Sequence, residues 1–208
     1  MLKVYPMPLG AYQTNCYILS VGERAIIVDP GDEAQKVIKY LETNGLKPEA
    51  ILITHGHLDH IGALEEVQKK YEIPVYTHEE EKEFFTNSKY NFSHNSRKPI
   101  EFDELSAFNF FAEDGIIEIL DQKITVFHVP GHSPGSLAFY FKDANIVLSG
   151  DALFKGSIGR TDFPNGSHEQ LIKNIATKLF TLPDATVVYP GHGAATTIGD
   201  EKRMNPFF

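Results

Sequence analysis

The residues best suited to chemistry form a compact block, His55-x-His57-x-Asp59-His60. Alternate side chains at the end of a strand point to the same side, so His55 and His57 can meet one metal ion together. Asp59 and His60 follow one turn later and can reach a second point close by. Because imidazole nitrogens and carboxylate oxygens are common ligands of zinc and other first-row ions, the block predicts metal binding.

Three more residues of ligand type each stand beside a glycine, just after a predicted strand: His132, Asp151 and His192. A glycine lets the backbone turn sharply, so that the next side chain can face a shared centre. Together with the block this makes five histidines and two aspartates, a set that suits two metal ions better than one.

We expect these ligands to divide between two ions that share one carboxylate. The expected set is His55, His57 and His132 for the first ion and Asp59, His60 and His192 for the second, with Asp151 bridging both. Asp29, at the end of an apolar run, is either a turn former or an acceptor for a ligand histidine, and the sequence leaves both open. The other histidines are expected to be surface or satisfied residues: His78, His94, His128 and His168.

Short apolar runs and helical periodicity predict the elements that position these residues. Strands are predicted at residues 16–19, 25–28, 50–53, 74–77, 116–120, 124–129, 137–141, 146–148 and 185–189. Helices are predicted at residues 33–44, from the histidine block to residue 71, at 79–85, and at 167–180 with a capping box at its start. The pattern recurs, which favours two similar halves packed sheet on sheet with helices outside.

Composition narrows the class of protein. The chain has 208 residues, 42% of them hydrophobic and 23% charged, which is typical of a soluble globular protein, and we expect a single domain over residues 1–208. The net charge of −9 gives no support to nucleic-acid binding. We also expect no membrane partner and no signal peptide, because no long apolar run occurs. The single cysteine, Cys16, excludes an intrachain disulfide and fits a cytoplasmic location. The oligomeric state is not readable from the sequence.

Residues 28–31, the block at 54–60 and the pairs Gly131-His132, Gly150-Asp151 and Gly191-His192 together resemble the metallo-β-lactamase superfamily, in the order that the family has them. The resemblance implies an α/β fold, a four-layer αβ/βα sandwich with the metals at one edge between two sheets. The best-known β-lactamases differ, because they carry arginine after the aspartate and use a cysteine ligand. Flavodiiron proteins have glutamate at the position of His57, and the RNA-processing nucleases usually add basic elements.

The chain is most similar to the short bacterial form of the glyoxalase II-like group, through residues 14–17, 153–162 and 205–207. This implies hydrolysis of a small-molecule thioester such as S-D-lactoylglutathione by a metal-bound hydroxide, with Asp59 orienting the water or moving its proton. Zinc is the favoured metal, with iron or manganese as alternatives. Arg160 corresponds to a basic residue that holds the glutathione carboxylate, or else forms a surface salt bridge. No C-terminal helical domain is expected, so the aromatic stretch at 84–111 is predicted to shape the substrate mouth instead.

Two other interpretations stay open. Residues 159–163 also resemble the mononuclear iron sulfur (persulfide) dioxygenases, in which one iron is held at the positions of His55, His132 and Asp151. In a third, non-catalytic interpretation, the metals only stabilise the structure or the fold serves as an interaction module. Structural zinc sites are normally closed and rich in cysteine, which this set is not.

Overall fold

The computed structural model describes all 208 residues and contains two six-stranded β-sheets. The first half of the chain forms β1 (Lys3–Leu9), β2 (Thr14–Val21), β3 (Arg24–Val28), α1 (Ala34–Thr43), β4 (Lys47–Leu52), α2 (Leu58–Ile61), α3 (Leu64–Tyr71), β5 (Val75–His78), α4 (Lys82–Thr86) and β6 (Phe108–Phe111). Its strands lie in the order β1-β2-β3-β4-β5-β6. The first three pair antiparallel, and the pairs from β3 onward are parallel.

The second half of the chain builds the second sheet. It forms β7 (Gly115–Ile119), β8 (Gln122–His128), β9 (Leu137–Phe141), β10 (Ile146–Gly150), β11 (Leu153–Phe154), β12 (Ser157–Ile158), α5 (His168–Thr177), β13 (Val187–Pro190), β14 (Thr196–Thr197) and α6 (Ile198–Met204). The sheet order is β14-β13-β10-β9-β8-β7, with only β10 and β13 parallel. Strands β11 and β12 form a separate hairpin.

Three apolar cores separate four layers. Helices α1 and α3 cover the first sheet through Leu41 and Val67. The middle core lies between the two sheets and includes Leu52 and Phe139. Helix α5 covers the second sheet through Leu171. The four-layer αβ/βα sandwich implied by the resemblance is therefore confirmed.

Strand β3 shows why these runs are uniformly apolar. Ala25 and Ile27 belong to the core under the helices, whereas Ile26 and Val28 belong to the core between the sheets. All four are at most 1% exposed. Because side chains alternate between the two faces and both faces are covered, the strand needs apolar residues at every position.

The structure adds six elements that were not predicted, β1, β6, β11, β12, β14 and α6, and it divides two predicted helices. Strand β1 was not predicted because Pro6 and Pro8 disfavour a central strand, but it lies at the sheet edge, where proline is tolerated. The helix after the histidine block is broken at Gly62, where a Cβ would lie 2.2 Å from the carbonyl oxygen of Gly31. The predicted helix at 79–85 is a 3₁₀ turn (Glu79–Glu81) followed by α4.

The strand directions bring the ligand-bearing loops to one edge. Strands β3 and β4 are parallel, so Asp29 and the block that begins at His55 leave the first sheet at the same end. Strands β8, β10 and β13 run in a common direction in the second sheet, and His132, Asp151 and His192 follow their carboxyl ends. None of the helices combines the length and apolar character that crossing a bilayer requires.

Candidate metal centre

The structure brings the seven predicted ligands together at this edge. Their ligand atoms form groups lying within 4.8 Å of one another: His55, His57 and His132; Asp59, His60 and His192; and His55, His60 and Asp151. We call the first two groups the first triad and the second triad. They are the same two sets that the sequence analysis assigned to separate ions.

The first triad is made of buried imidazoles whose nitrogens point at one another. The Nε2 atom of His132 lies 3.2 Å from Nε2 of His55 and 3.0 Å from Nδ1 of His57. The three residues are at most 5% exposed. His132 Nδ1–H donates a hydrogen bond to the Arg160 carbonyl oxygen at 2.8 Å. Because Nδ1 carries the proton, the lone pair of Nε2 is free to bind an ion.

Asp151 lies between the two triads. Its Oδ2 atom is 3.6 Å from His132 Nε2 and 3.5 Å from His192 Nε2, and its Oδ1 atom is 3.4 Å from His60 Nε2. Within the second triad, Asp59 Oδ2 is 3.2 Å from His192 Nε2 and 3.7 Å from His60 Nε2. One carboxylate thus contacts members of both sets.

Two buried polar atoms at this point have no hydrogen-bond partner, His60 Nε2 and Asp151 Oδ1. An unsatisfied buried polar group costs about 1–3 kcal/mol, so a folded protein rarely leaves two of them side by side without a use. A divalent cation held by the second triad and Asp151 would satisfy both atoms, and a second cation would be bound by the converging nitrogens of the first triad. The donor set of imidazole and carboxylate fits zinc, iron or manganese.

Electrostatics keep the first triad in the form that binds metals. Burial, followed by the neighbouring histidines, lowers the pKa of His55 well below its ordinary value and that of His57 to about 3. Burial also lowers the pKa of His132. The three imidazoles are therefore neutral at physiological pH, and neutral imidazole is the ligand form.

The second triad has the opposite balance. Burial disfavours a charge on His60, but the carboxylates of Asp151 and Asp59 outweigh it and raise the pKa well above its ordinary value. Burial likewise opposes a charge on His192, yet the hydrogen bonds that its imidazolium donates to the carboxylates of Asp151 and Asp59 raise its pKa to about 9. The carboxylates attract positive charge to this point, which a metal ion would supply in place of protons.

Asp29 fixes the orientation of His60. Its Oδ2 atom lies 2.9 Å from His60 Nδ1 and accepts a hydrogen bond from the Thr54 hydroxyl at 2.6 Å, while its Oδ1 atom accepts one from the Thr54 backbone N–H at 2.8 Å. With Nδ1 held in this way, Nε2 of His60 faces the centre. Asp29 also occupies a left-handed turn conformation (φ 48°), so it combines the two roles that the sequence left open.

Three contacts at the centre were not assigned from the sequence. The Thr14 hydroxyl donates to Asp59 Oδ2 at 2.7 Å. The Asn15 amide and the Tyr17 hydroxyl both donate to the carbonyl oxygen of Pro190, at 3.0 and 2.6 Å, and so fix the loop that carries His192. The only signal of these residues in the sequence was the resemblance of residues 14–17 to the glyoxalase II-like group.

A cleft of about 460 Å³ opens over the centre. Five of the seven ligand candidates line it: His57, Asp59, His132, Asp151 and His192. The other lining residues are Tyr12, Leu58, Phe92, Phe154, Ser157, Ile158, Arg160 and Phe163. The ring of His57 contacts those of Phe92 and Phe163, with centroids 5.0 and 5.3 Å apart. Phe92 is the one residue of the aromatic stretch at 84–111 that lines this cleft, and a role of the whole stretch in shaping the substrate mouth stays a prediction.

Arg160 stands at the rim of this cleft. Its guanidinium binds both carboxylate oxygens of Asp162 at 2.9 Å and lies over the Phe163 ring, 4.4 Å from its centroid. The side chain is 67% exposed. The surface salt bridge expected as one alternative is therefore present, and Arg160 also lines the cleft, whereas binding of a glutathione carboxylate stays a prediction.

The comparison with known families agrees with the geometry. The family model of the metallo-beta-lactamase superfamily matches residues 9–192, which include all seven ligand candidates. The chain belongs to this superfamily. Among curated relatives it is similar to the "Probable metallo-hydrolase YqgX" of Bacillus subtilis, with 45% identity over 99% of this chain and 97% of the relative. It is also similar to "Hydroxyacylglutathione hydrolase GloC" of Haemophilus influenzae, with 38% identity over 99% of this chain and 98% of the relative.

Solved structures of the superfamily give the same result. The chain is similar to the BLEG-1 B3 metallo-beta-lactamase, with a TM-score of 0.93 and 41% identity over 100% of this chain and 99% of that one. It is also similar to TTHA1623 in a di-iron-bound form, with a TM-score of 0.86 and 37% identity over 99% of this chain and 100% of that one. The chain thus belongs to a superfamily of metal-binding enzymes, and the donor set described above fits metal binding.

This member of the superfamily has a second histidine pair away from the centre. The rings of His78 and His128 stack, with centroids 3.8 Å apart and planes at 15°. His78 Nδ1 accepts from the Glu80 backbone N–H at 3.2 Å, and His128 Nε2 lies 2.8 Å from the Pro134 carbonyl oxygen. Nitrogen lone pairs lie in the ring plane, so stacked rings do not aim them at one ion, and the pair fits a structural role.

Acidification is expected to destabilise the protein through His78. Burial and then His128 lower the pKa of His78 from its ordinary 6.5 to about 4. As the pH falls below 6.5, His78 becomes protonated in the unfolded chain but stays neutral in the folded chain until about pH 4. The free energy of unfolding therefore decreases as the pH falls through this window. Between about pH 7.5 and about pH 5, His78 is expected to contribute about 2 kcal/mol to the loss in the free energy of unfolding. Denaturant unfolding at the two pH values measures it.

The matched comparison uses two asparagine variants. His78→Asn keeps an acceptor near the Glu80 N–H but does not titrate, so its loss should be smaller than that of the parent by about 2 kcal/mol. His94→Asn, at an exposed histidine, should keep the parent's dependence. Equal losses in parent and His78→Asn would contradict the assignment, because all other buried histidines are common to both proteins.

Proposed function

We propose that this protein is a binuclear metal-dependent hydrolase of thioesters, with S-D-lactoylglutathione as the model substrate. The observation that carries the proposal is the pair of triads joined by Asp151 on the floor of the cleft. The name of the Haemophilus relative, a hydroxyacylglutathione hydrolase, supports the choice of substrate class. The favoured metal is zinc.

Some residues of the centre are proposed to bind the ions, and others to act on the water and the substrate. Two divalent cations in these triads would lower the pKa of a shared water and polarise a substrate carbonyl. Asp59, whose Oδ2 is held by the Thr14 hydroxyl, is placed to orient the water and accept its proton. His192, with 31% of its side chain exposed, is the imidazole of the two triads that opens most to the cleft.

The cleft walls suit a thioester with an apolar or uncharged middle. Phe154 and Phe163 line the cleft with apolar rings, which would exclude water around a bound substrate and so strengthen electrostatic interactions there. A thiolate leaves readily because a free thiol has a pKa of about 8.5. For a glutathione substrate, Arg160 is the residue proposed to bind the glycine carboxylate, either through its Nη1 donors or by displacing Asp162 from Nε and Nη2.

A mononuclear iron dioxygenase acting on persulfides is the second candidate. The observation that favours iron is the TTHA1623 structure, which is described in a di-iron-bound form at 37% identity. One iron held by His55, His132 and Asp151 would use two members of the first triad and the carboxylate that contacts both triads. The two candidates differ in metal content and in whether oxygen is consumed.

The test is turnover by protein of measured metal content. We expect about two zinc ions per chain and release of thiol from S-D-lactoylglutathione, abolished by chelation and restored by zinc. A thioester without glutathione and a β-lactam serve as comparison substrates, because BLEG-1 carries the name of a β-lactamase. About one iron per chain with oxygen uptake on a persulfide would favour the dioxygenase. Metal binding without any turnover would favour the non-catalytic interpretation, in which the metals only stabilise the structure.

A further inference from the structure

Glu81 is a buried carboxylate that the proposed chemistry does not use. It ends the 3₁₀ turn before α4 and is 0% exposed. It forms no salt bridge with a lysine, arginine or histidine, although an uncompensated buried carboxylate costs several kcal/mol. Instead it accepts three hydrogen bonds: from Gly56 N–H at 2.7 Å, Gly135 N–H at 2.7 Å and the Ser133 hydroxyl at 2.8 Å.

These three donors belong to the two loops that carry the first triad. Gly56 lies between His55 and His57, and Ser133 follows His132. Oε2 of Glu81 binds the first loop and Oε1 binds the second, so one carboxylate spans segments that are more than seventy residues apart in the chain. The hydrogen bonds of Asp59, His60 and His192 do not involve Glu81.

The packing around Glu81 shows how closely it is held. A Cβ on Gly135 would lie 2.7 Å from Cγ of Glu81, and a Cβ on Gly56 would lie 3.0 Å from its Oε2 and 2.5 Å from Cβ of Phe84. Only glycine at both positions lets the carboxylate reach both backbone N–H groups. This gives a reason for the glycine in the middle of the His-Gly-His sequence.

We propose that Glu81 is a positioning residue that sets the spacing between His57 and His132 and thereby the metal affinity of the first triad, while leaving the second triad unaffected. The inference rests on the two-ion arrangement of the proposed function. Both oxygens of Glu81 are occupied by backbone and hydroxyl donors, so it acts through the loops and not as a ligand. Partners of this kind typically contribute 10- to 100-fold to metal affinity.

The test is Glu81→Gln, with zinc affinity measured against a chromophoric chelator. Whichever way the amide is turned, its NH₂ group faces a backbone N–H of one loop, so one of the two loops is released. In a His192→Ala background, which keeps the first triad intact, we expect affinity to fall about 10- to 100-fold. In a His57→Ala background, which keeps the second triad intact, we expect a change of less than about threefold.

The matched control is Glu201→Gln. Glu201 is also buried (3% exposed) and also accepts three hydrogen bonds, from Gly156, Thr196 and Asn205, but it contacts neither ligand loop. It should leave zinc affinity unchanged in both backgrounds. If Glu81→Gln does not fold, Ser133→Ala removes one of the three donors and should weaken the first triad about three- to tenfold.

Three results separate the outcomes. Equal losses in the two backgrounds, or no loss in the His192→Ala background, would overturn the role of Glu81. An equal loss with Glu201→Gln would do the same, because it would reveal a general effect of destabilisation. If the parent chain itself holds fewer than two ions, the two-ion proposal fails instead, and the parent measurement identifies that case.

Discussion

Asp151→Asn is expected to lower kcat/KM for thioester hydrolysis at least about a thousandfold and to reduce the bound metal from two ions towards one. Asp151 is the carboxylate whose oxygens contact members of both triads, at 3.4 to 3.6 Å. Asparagine has nearly the same shape but carries no charge and offers one acceptor instead of two. The loss should therefore fall on metal binding and turnover rather than on the fold.

The measurement combines steady-state kinetics, metal analysis and circular dichroism on the same preparation. Asp184→Asn is the matched control, because Asp184 is an exposed aspartate that pairs with Lys202 far from the cleft. It should keep activity within about twofold. If Asp151→Asn retained two ions and near-parental turnover, the bridging role would be wrong. If it lost its near-ultraviolet signal, Asp151 would have to be regarded as a structural residue.

Asp29→Ala is expected to lower the free energy of unfolding by about 4 kcal/mol. Asp29 is 2% exposed and serves three buried donor groups, two on Thr54 and one on His60. Alanine would leave the Thr54 N–H and His60 Nδ1 without this acceptor, and the Thr54 hydroxyl with only the His55 Nδ1 atom at 3.2 Å. It would also have to adopt the left-handed conformation at φ 48°, which costs about 1 kcal/mol.

Asp29→Asn separates the two contributions, because asparagine tolerates the left-handed conformation and keeps one acceptor oxygen. Its expected loss is about 2 kcal/mol. Asp32→Ala, an exposed aspartate in the same loop, is the control and should cost less than about 1 kcal/mol. Denaturant unfolding with unchanged m-values measures all three. A loss for Asp29→Ala no larger than that for Asp32→Ala would contradict the proposed network.

Local patterns were sufficient for most elements of the fold. Continuous apolar runs marked strands such as β3 because both faces of each sheet are covered, and an amphipathic stripe marked α5. The edge strand β1 was missed because its prolines are unfavourable in a central strand, and the edge position becomes visible only when the sheet is assembled. The layer arrangement came from the family resemblance, and the structure confirms it.

The ligand candidates could be predicted because their residue types cluster in the sequence. The residues that hold the ligand loops in place could not, because they lie far from those loops along the chain. The block from His55 to His60 and the three glycine-flanked ligands converge as expected, although metal binding by each residue stays a prediction. Glu81 could not be identified from the sequence. It ends a run of three glutamates that reads as a solvated surface, and tertiary packing alone decides which of the three is buried.

Neither triad is supplied by the loops of one sheet alone. The block that begins at His55 leaves the first sheet, whereas His132 and His192 leave the second, so each proposed ion would sit across the seam between the two halves. Any slippage of one sheet over the other would then change ligand spacing directly. Buried residues between the two sheets, such as Phe139 and Leu52, therefore influence the distances between the ligands. Selection for activity would act on them although they do not contact the substrate.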